Sequence, residues 1–569
     1  MNELINNKGM TLPIILITFS IMMILGFASL FMTSTQSKLN ITDDSSQKAL
    51  KYAEAGYNKY LWHLNDDLNF YSKDEHYEIM NKPIEFQDGY FMLDVSKPSE
   101  SDRFVTIIST GWTKDNPSTK KSILAKVRKK QFVHHVYVSD NDGPNIWWTS
   151  GDESHGPYHT NGTFRAQEGN RINNATYPIF YDTVTYYGEV GKRKIDDRIS
   201  SRNKEKAYLM GEPKGEMELR FPNSNRDLKS WAEKDNMVFY GRTCIYLDGD
   251  NIKIRNQNFD DIKIYSISKD IPNLVIYVDK VPDDDKSIKG NNDKFGIRSG
   301  NIFISGKLKG RLTIGAEDTI YITYDDPTNW YDYDPMDIYN KNKKPNQPPL
   351  IFTWGGKTNN TYPESGGIEY TNTIFSGNKN GIGSNLSSYD NEKNIYMRYS
   401  FAKDDKSKPG KDMLGLIANK NVLILHYGWP KKAHNSDGRD DNWNFQWEWR
   451  NYGGIIRPDY RWGTRNITYD MGPYNITIHA AIFSVFRGYG FGYEDATVGY
   501  KKGDITLWGN ITQRERKAVG TVNGTGYKKK YAHDPRMFYD YPPHILEPTN
   551  VGWEVHEWKE IKDHVIEKQ

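Results

Sequence analysis

From Leu12 to Met32 the chain runs apolar and uncharged, apart from isolated Thr and Ser hydroxyls. A helix needs about 20 such residues to cross the hydrocarbon of a bilayer, so a membrane helix is predicted here. Downstream, Leu50, Ala53, Tyr57, Tyr60, Leu61 and Leu64 recur at offsets of three and four, with Lys48, Lys51, Glu54 and Lys59 off that stripe. That spacing predicts an amphipathic helix with one face to bury. The period then changes to two. Gly89 to Val95, Arg103 to Trp112 and Ser122 to Phe132 alternate apolar and polar positions, with Pro, Asp, Asn and Ser between them. Such a meander predicts a small antiparallel sheet on the helix, complete near residue 130.

Beyond it the runs are shorter and richer in β-branched residues: Gly300 to Gly306, Arg311 to Gly315, Asp318 to Thr323, Asn421 to Leu425, Asn475 to Ile482 and Asp504 to Gly509. Closely spaced strands with Gly and Asn at the corners suit a right-handed parallel β-helix with long loops. No strict repeat period is visible, so an antiparallel β-sandwich stays open. The expected fold class is mainly β. The expected division is a leader at 1–9, an apolar and amphipathic helix at 10–65, a β head at 66–132, a β-helical body at 133–548 and a C-terminal tail at 549–569.

Composition narrows the partners. Lys plus Arg number 75 against 73 Asp plus Glu, and no long basic block faces a phosphate backbone, so nucleic acid is not expected. Cys244 is the only cysteine, which excludes an intrachain disulfide and a cysteine zinc cluster. Aromatic residues reach 14%, and Tyr and Trp together outnumber Phe. Those rings combine an apolar body with a polar handle, which suits contact surfaces as well as strands.

The flanks of the apolar run are informative. After it, Thr33-Ser34-Thr35-Gln36-Ser37-Lys38 offers no small-residue cleavage site. Before it stands Lys8-Gly9-Met10-Thr11-Leu12-Pro13, which resembles the prepilin peptidase site of type IV pilins and pseudopilins. The resemblance implies cleavage between Gly9 and Met10, and a retained membrane helix containing Leu12, Pro13, Ile14, Leu25, Phe27 and Leu30. Ala53-Glu54-Ala55-Gly56 resembles the same region of minor pilins. Major pilins carry a glutamate at the fifth mature position, which is Ile14 in this chain. An unpaired carboxylate is costly in hydrocarbon, so Ile14 suits a rarely incorporated or tip subunit. The resemblance implies other pilins or pseudopilins and prepilin peptidase as partners, with a single-pass location in the cell membrane and an extracellular body at the cell surface.

The body resembles uncharacterised β-helical domains that accompany pilin-like N-termini. The resemblance rests on Gly156-Pro157-Tyr158-His159-Thr160-Asn161-Gly162, Leu414 to Ala418, Ile478 to Ile482, and the tail from Val519 through His533-Asp534-Pro535-Arg536 to Pro542-Pro543. It implies an architecture and no activity.

Candidate chemistry is sparse. His155 and His159 flank Gly156-Pro157-Tyr158, a turn sequence before it is a metal pair. His134-His135 lies on an expected strand, which would send the rings to opposite faces. No Gly-x-Ser-x-Gly elbow occurs. No cofactor is expected. The acidic turns Asp140-Asn141-Asp142-Gly143, Asp248-Gly249-Asp250 and Asp437 to Asp441 would suit only weakly held calcium, and solvated turns account for them better. Enzyme activity is not expected; a surface-anchored polysaccharide lyase or glycoside hydrolase on a β-helix is the alternative.

Aromatic loops are the stronger lead. Trp443, Trp447, Trp449, Tyr452, Tyr460 and Trp462 sit among Asn, Asp and Arg, and Trp330, Tyr331 and Tyr333 form a second group. In an extended segment Trp443, Trp447 and Trp449 share one face. A row of rings suits the flat faces of sugars, so adhesion to an insoluble polysaccharide such as cellulose is expected. Tāpirins, cellulose-adhering β-helix proteins, are the nearest analogy.

Overall fold

The computed structural model describes residues 11–98, 104–169, 176–188, 194–256, 261–286, 298–323, 326–328, 365–376, 399–403, 410–425, 447–452, 455–462, 465–467, 473–493, 501–521 and 525–561. The chain is mainly β, with one long N-terminal apolar helix, and it divides into two compact units, Met1–Lys130 with Gly552–Gln569, and Gln131–Val551.

In the first, helix–sheet unit, α1 (Thr11–Asp66) is continuous for 56 residues. Its first part is exposed on every side as far as Asp44, and from Ser45 one face is buried through Ala49, Tyr52, Ala53, Tyr60 and Leu64. That face lies on an antiparallel sheet of β1 (Ile84–Phe86), β2 (Gly89–Ser96), β3 (Val105–Thr113) and β4 (Lys120–Lys129). The alternation in β2 buries Phe91, Leu93 and Val95 toward the helix, as a half-buried strand requires. Small residues set how closely helix and sheet approach. A β-carbon on Gly56 would meet Ser109 Oγ at 2.4 Å and the Phe91 ring at 2.6 Å.

The segment expected as a C-terminal tail is a strand of this same sheet. Trp553–Ile561 pairs antiparallel with β4, starting from Trp553 opposite Lys129. The body is therefore inserted, in sequence, between two neighbouring strands of one sheet.

The ladders of the second unit are parallel pairs, which an antiparallel sandwich does not have, and antiparallel hairpins such as Thr243–Gly249 with Asn251–Asn256 are attached to them. One ladder runs through Val238–Tyr240, Val275–Asp279, Arg311–Ala316, Met413–Ala418, Asn475–Ser484 and Lys501–Glu515. It then passes to Tyr137–Asn141, Tyr158–Thr160, Val184–Tyr187 and Lys214–Glu216. Spatial order and chain order thus part at Ile511, which pairs with Tyr137. Register partners along this ladder make a buried column of Ile276, Ile314, Leu416, Ile482, Ile511, Tyr137, Tyr158 and Val184. The column changes from aliphatic to aromatic where the early strands join the late ones, and Tyr137 stacks on Tyr158 at 5.1 Å.

Because the early strands stack at the far end, the chain must return along the ladder before starting it at Val238. Residues 217–237 make that return. Leu219 pairs with Asn161, the Arg514 guanidinium donates to the Pro222 carbonyl at 3.0 Å, and the Asn225 side chain donates to the carbonyls of Ala316 and Ile417 at 2.9 and 3.1 Å. Each anchor lies on a different rung.

Candidate functional site

The exposed half of α1 is the strongest functional feature. Leu12, Pro13, Ile14, Leu25, Phe27 and Leu30 all lie on it and are exposed. It is long and apolar enough to cross a membrane, and none of its apolar stretch is buried. In water that surface would carry a large unfavourable hydration cost, and in lipid it carries none. The few polar groups are compatible with lipid. Thr18 Oγ1 donates to the Ile14 carbonyl at 2.7 Å, Ser20 Oγ to Leu16 at 2.8 Å and Thr33 Oγ1 to Ser29 at 2.9 Å. A hydroxyl bonded back to the preceding turn is a satisfied donor in hydrocarbon. Pro13 falls in the first turn of the described helix, where its missing N–H breaks no intrahelical bond. The expected leader cleavage site, Gly9 and Met10, lies outside the described residues.

In the ladder unit the histidines serve packing. His155 Nε2 lies 3.0 Å from Glu153 Oε2, with its ring stacked 3.9 Å from Tyr181. His159 bonds Thr185 Oγ1 at 2.9 Å and Asn161 Oδ1 at 3.1 Å through its two nitrogens. His134 corrects an expectation: it closes a 3-10 turn at Phe132–His134 instead of lying on a strand, and its Nδ1 accepts the Gln131 N–H. Its Nε2 meets the Tyr541 hydroxyl at 3.0 Å. Among the described residues no group of three or more His, Cys, Asp or Glu is placed to hold a metal ion.

The acidic turns are engaged by protein groups. Asp142 accepts from Ser139 Oγ at 2.6 Å and from the Tyr158 hydroxyl at 3.1 Å, while Asp140 pairs with Arg514 at 3.2 Å. Asp248 pairs with Lys253 at 3.0 Å, and Lys309 holds the Asp250 carboxyl below its usual range. Asp437 to Asp441 lies outside the described residues.

Of the aromatic candidates, Trp443, Trp330, Tyr331 and Tyr333 also lie outside the described residues. Trp447, Trp449 and Tyr452 belong to the strand Trp447–Tyr452, and Tyr460 and Trp462 to Ile455–Trp462, two strands of a three-stranded antiparallel sheet. Trp447 pairs in register with Tyr460 and Trp449 with Pro458, so Trp447, Trp449, Tyr460 and Trp462 hold positions on one face. Tyr452 holds a position on the other.

Sequence reasoning missed the charged join between early and late strands. Lys529 pairs with Asp152 at 2.6 Å, Lys530 pairs with Glu153, and Arg514 pairs with Asp140. In each pair the cation comes from residues 514–530 and the acid from 140–153. Burial lowers the Lys529 pKa, which Asp152 partly offsets. No local signal marks such pairs, since the partners lie more than 370 residues apart in sequence.

No protein-family model matches the chain, and no curated protein does. Among solved structures, the competence-associated pilin ComZ from Thermus thermophilus is similar at a TM-score of 0.26 and 9% identity, over 92% of this chain and 98% of that one. A likeness of that size fixes neither a fold nor a function.

Proposed function

We propose that the chain is a membrane-anchored minor subunit of a type IV pilus or related system, whose body lies outside the cell and adheres to polysaccharide. The observation that carries this reading is α1. One unbroken helix offers a lipid-compatible half and then lays its other half on an antiparallel sheet. A cleaved signal sequence would have no use for that continuity. The sequence resemblance at Lys8 to Pro13 supplies the route by which the helix would be kept. Ile14, apolar and exposed, agrees with a subunit that is not the bulk of a filament. We read the stacked parallel ladders as a β-helix, right-handed as parallel crossovers are by default. Its partners would be other pilins or pseudopilins.

The test is co-expression with a prepilin peptidase and N-terminal sequencing of the membrane fraction. A mature start at Met10 supports the reading, and a start beyond Met32 sinks it. For adhesion, the soluble body is mixed with insoluble polysaccharides. Retention that drops at least fivefold in Trp447→Ala/Trp449→Ala supports the aromatic face, whereas release of soluble sugar favours a lyase or hydrolase.

A further inference from the structure

The strand Trp553–Ile561 closes the helix–sheet unit, yet it is synthesised more than four hundred residues after β4, its partner. Trp553 is a core residue there, 6% exposed and packed with Tyr60, Leu64, Phe70 and Val127. Its indole Nε1 donates to the Leu68 carbonyl at 3.0 Å, and its ring meets Tyr71 edge-on at 5.8 Å. Asn65, in the last turn of α1, grips the backbone of Trp553. The Asn65 Oδ1 accepts the Trp553 N–H at 2.7 Å, and its Nδ2 donates to the Trp553 carbonyl at 3.3 Å, across 488 residues of sequence. Farther along, Lys121 pairs with Glu560 at 2.5 Å, Lys126 with Glu557 at 3.8 Å, and Phe104 packs on His556 at 4.9 Å. Without this strand β4 is a bare edge, the Trp553 slot stands empty, and Asn65 Oδ1 and the Leu68 carbonyl lose the bonds they make to Trp553.

We propose that the helix–sheet unit completes its fold only after the inserted ladder unit has folded, with Trp553–Ile561 acting as a closing strap that reports the body's completion. The physical cause is loop closure. Pairing Trp553 with Lys129 through an unfolded insertion closes a loop of several hundred residues, whereas a folded insertion removes most of that entropy. Under the pilin-like reading, a subunit whose body is unfinished would lack a complete head sheet and would be held out of assembly. The folding claim itself does not depend on that reading.

Hydrogen exchange on the full-length chain in detergent tests it. In pulse-labelled refolding, amides of β4 gain protection with or after those of Lys501–Glu515. In Trp553→Asp, protection of β4 and of α1 from Ser45 to Asp66 falls about a hundredfold or more, with the ladder strands unchanged. Trp558→Asp, on the same strand at a position 44% exposed, leaves protection within about threefold of the parent. A synthetic peptide covering 552–569 restores β4 protection to the Trp553→Asp chain. The proposal is overturned if β4 gains protection before Lys501–Glu515. It also falls if Trp553→Asp leaves β4 protected, if that variant unfolds the ladder strands too, or if the peptide restores nothing. Pilus assembly enters none of these readouts, so their failure is separate from failure of the pilin-like reading.

Discussion

Gly111 has no room for a side chain. A β-carbon there would lie 2.2 Å from the Ala49 carbonyl oxygen and 2.5 Å from the Ala53 nitrogen, both backbone atoms of α1. Gly111→Val should therefore push helix from sheet and cost the helix–sheet unit about 2 to 3 kcal/mol, read as a lower denaturation midpoint. Asn225, fully buried, donates to two carbonyls and accepts from the Tyr277 hydroxyl at 3.0 Å. Asn225→Ala removes all three of these bonds from a buried site, and a loss of about 3 kcal/mol in the ladder unit is expected from urea titration. His479 gives a pH dependence. Burial among Tyr370, Phe375 and Arg536 lowers its pKa from 6.5 to about 4. Between those values the unfolded chain binds a proton that the folded chain refuses, so stability is full above about pH 6.5 and declines as pH falls toward 4. His479→Gln should flatten that slope, worth on the order of 3 kcal/mol, in thermal melts across the window.

At the scale of elements, α1 carries two solvents on one helix. Its first part meets the length and composition of a span, and its second part takes a buried stripe from Ser45 onward. Leu25→Asp, placed near the middle of the apolar run, should cost about 3 kcal/mol of membrane insertion and shift the protein toward the carbonate-soluble fraction. The ladders follow a different rule. The register column through Ile276, Ile314, Leu416, Ile482 and Ile511 is aliphatic, and at the join Tyr137 and Tyr158 follow, with Trp148, Arg516 and Lys529 beside them. A lysine buried this far needs a carboxylate, and Asp152 supplies it.

For the whole molecule, the register of Trp553 against Lys129 says that the insertion begins and ends at neighbouring strands. Replacing residues 131–551 by a short Gly-containing turn should leave a helix–sheet unit with native β3 and β4 amide protection, and should speed its folding because the closing loop shrinks to a hairpin. A product without protected β4 amides would show that the sheet depends on the body for more than a tether.

Local periodicity by itself determined the two kinds of helix surface, the meander of β2 to β4 and the β-branched runs of the body, because burial on one face imprints a period of 3.6 or 2 on the chain. The resemblance at Gly9-Met10 and at Ala53 to Gly56 rests on sequence too, and the structure gives the latter a physical reason in the tight crossing at Gly56. Only the tertiary structure decided which strands pair. The strap shows why: a bulge between Val555 and Glu557 sets Trp553, Val555 and Trp558 opposite Lys129, Val127 and Ala125, on one face despite their mixed spacing, so the strict alternation that marks a strand is absent from the sequence and the segment reads as a tail. The return of 217–237 and the pairing of Ile511 with Tyr137 were equally hidden. A strand's sequence records that one of its faces is buried, but the backbone hydrogen bonds that choose its neighbour are the same for every residue.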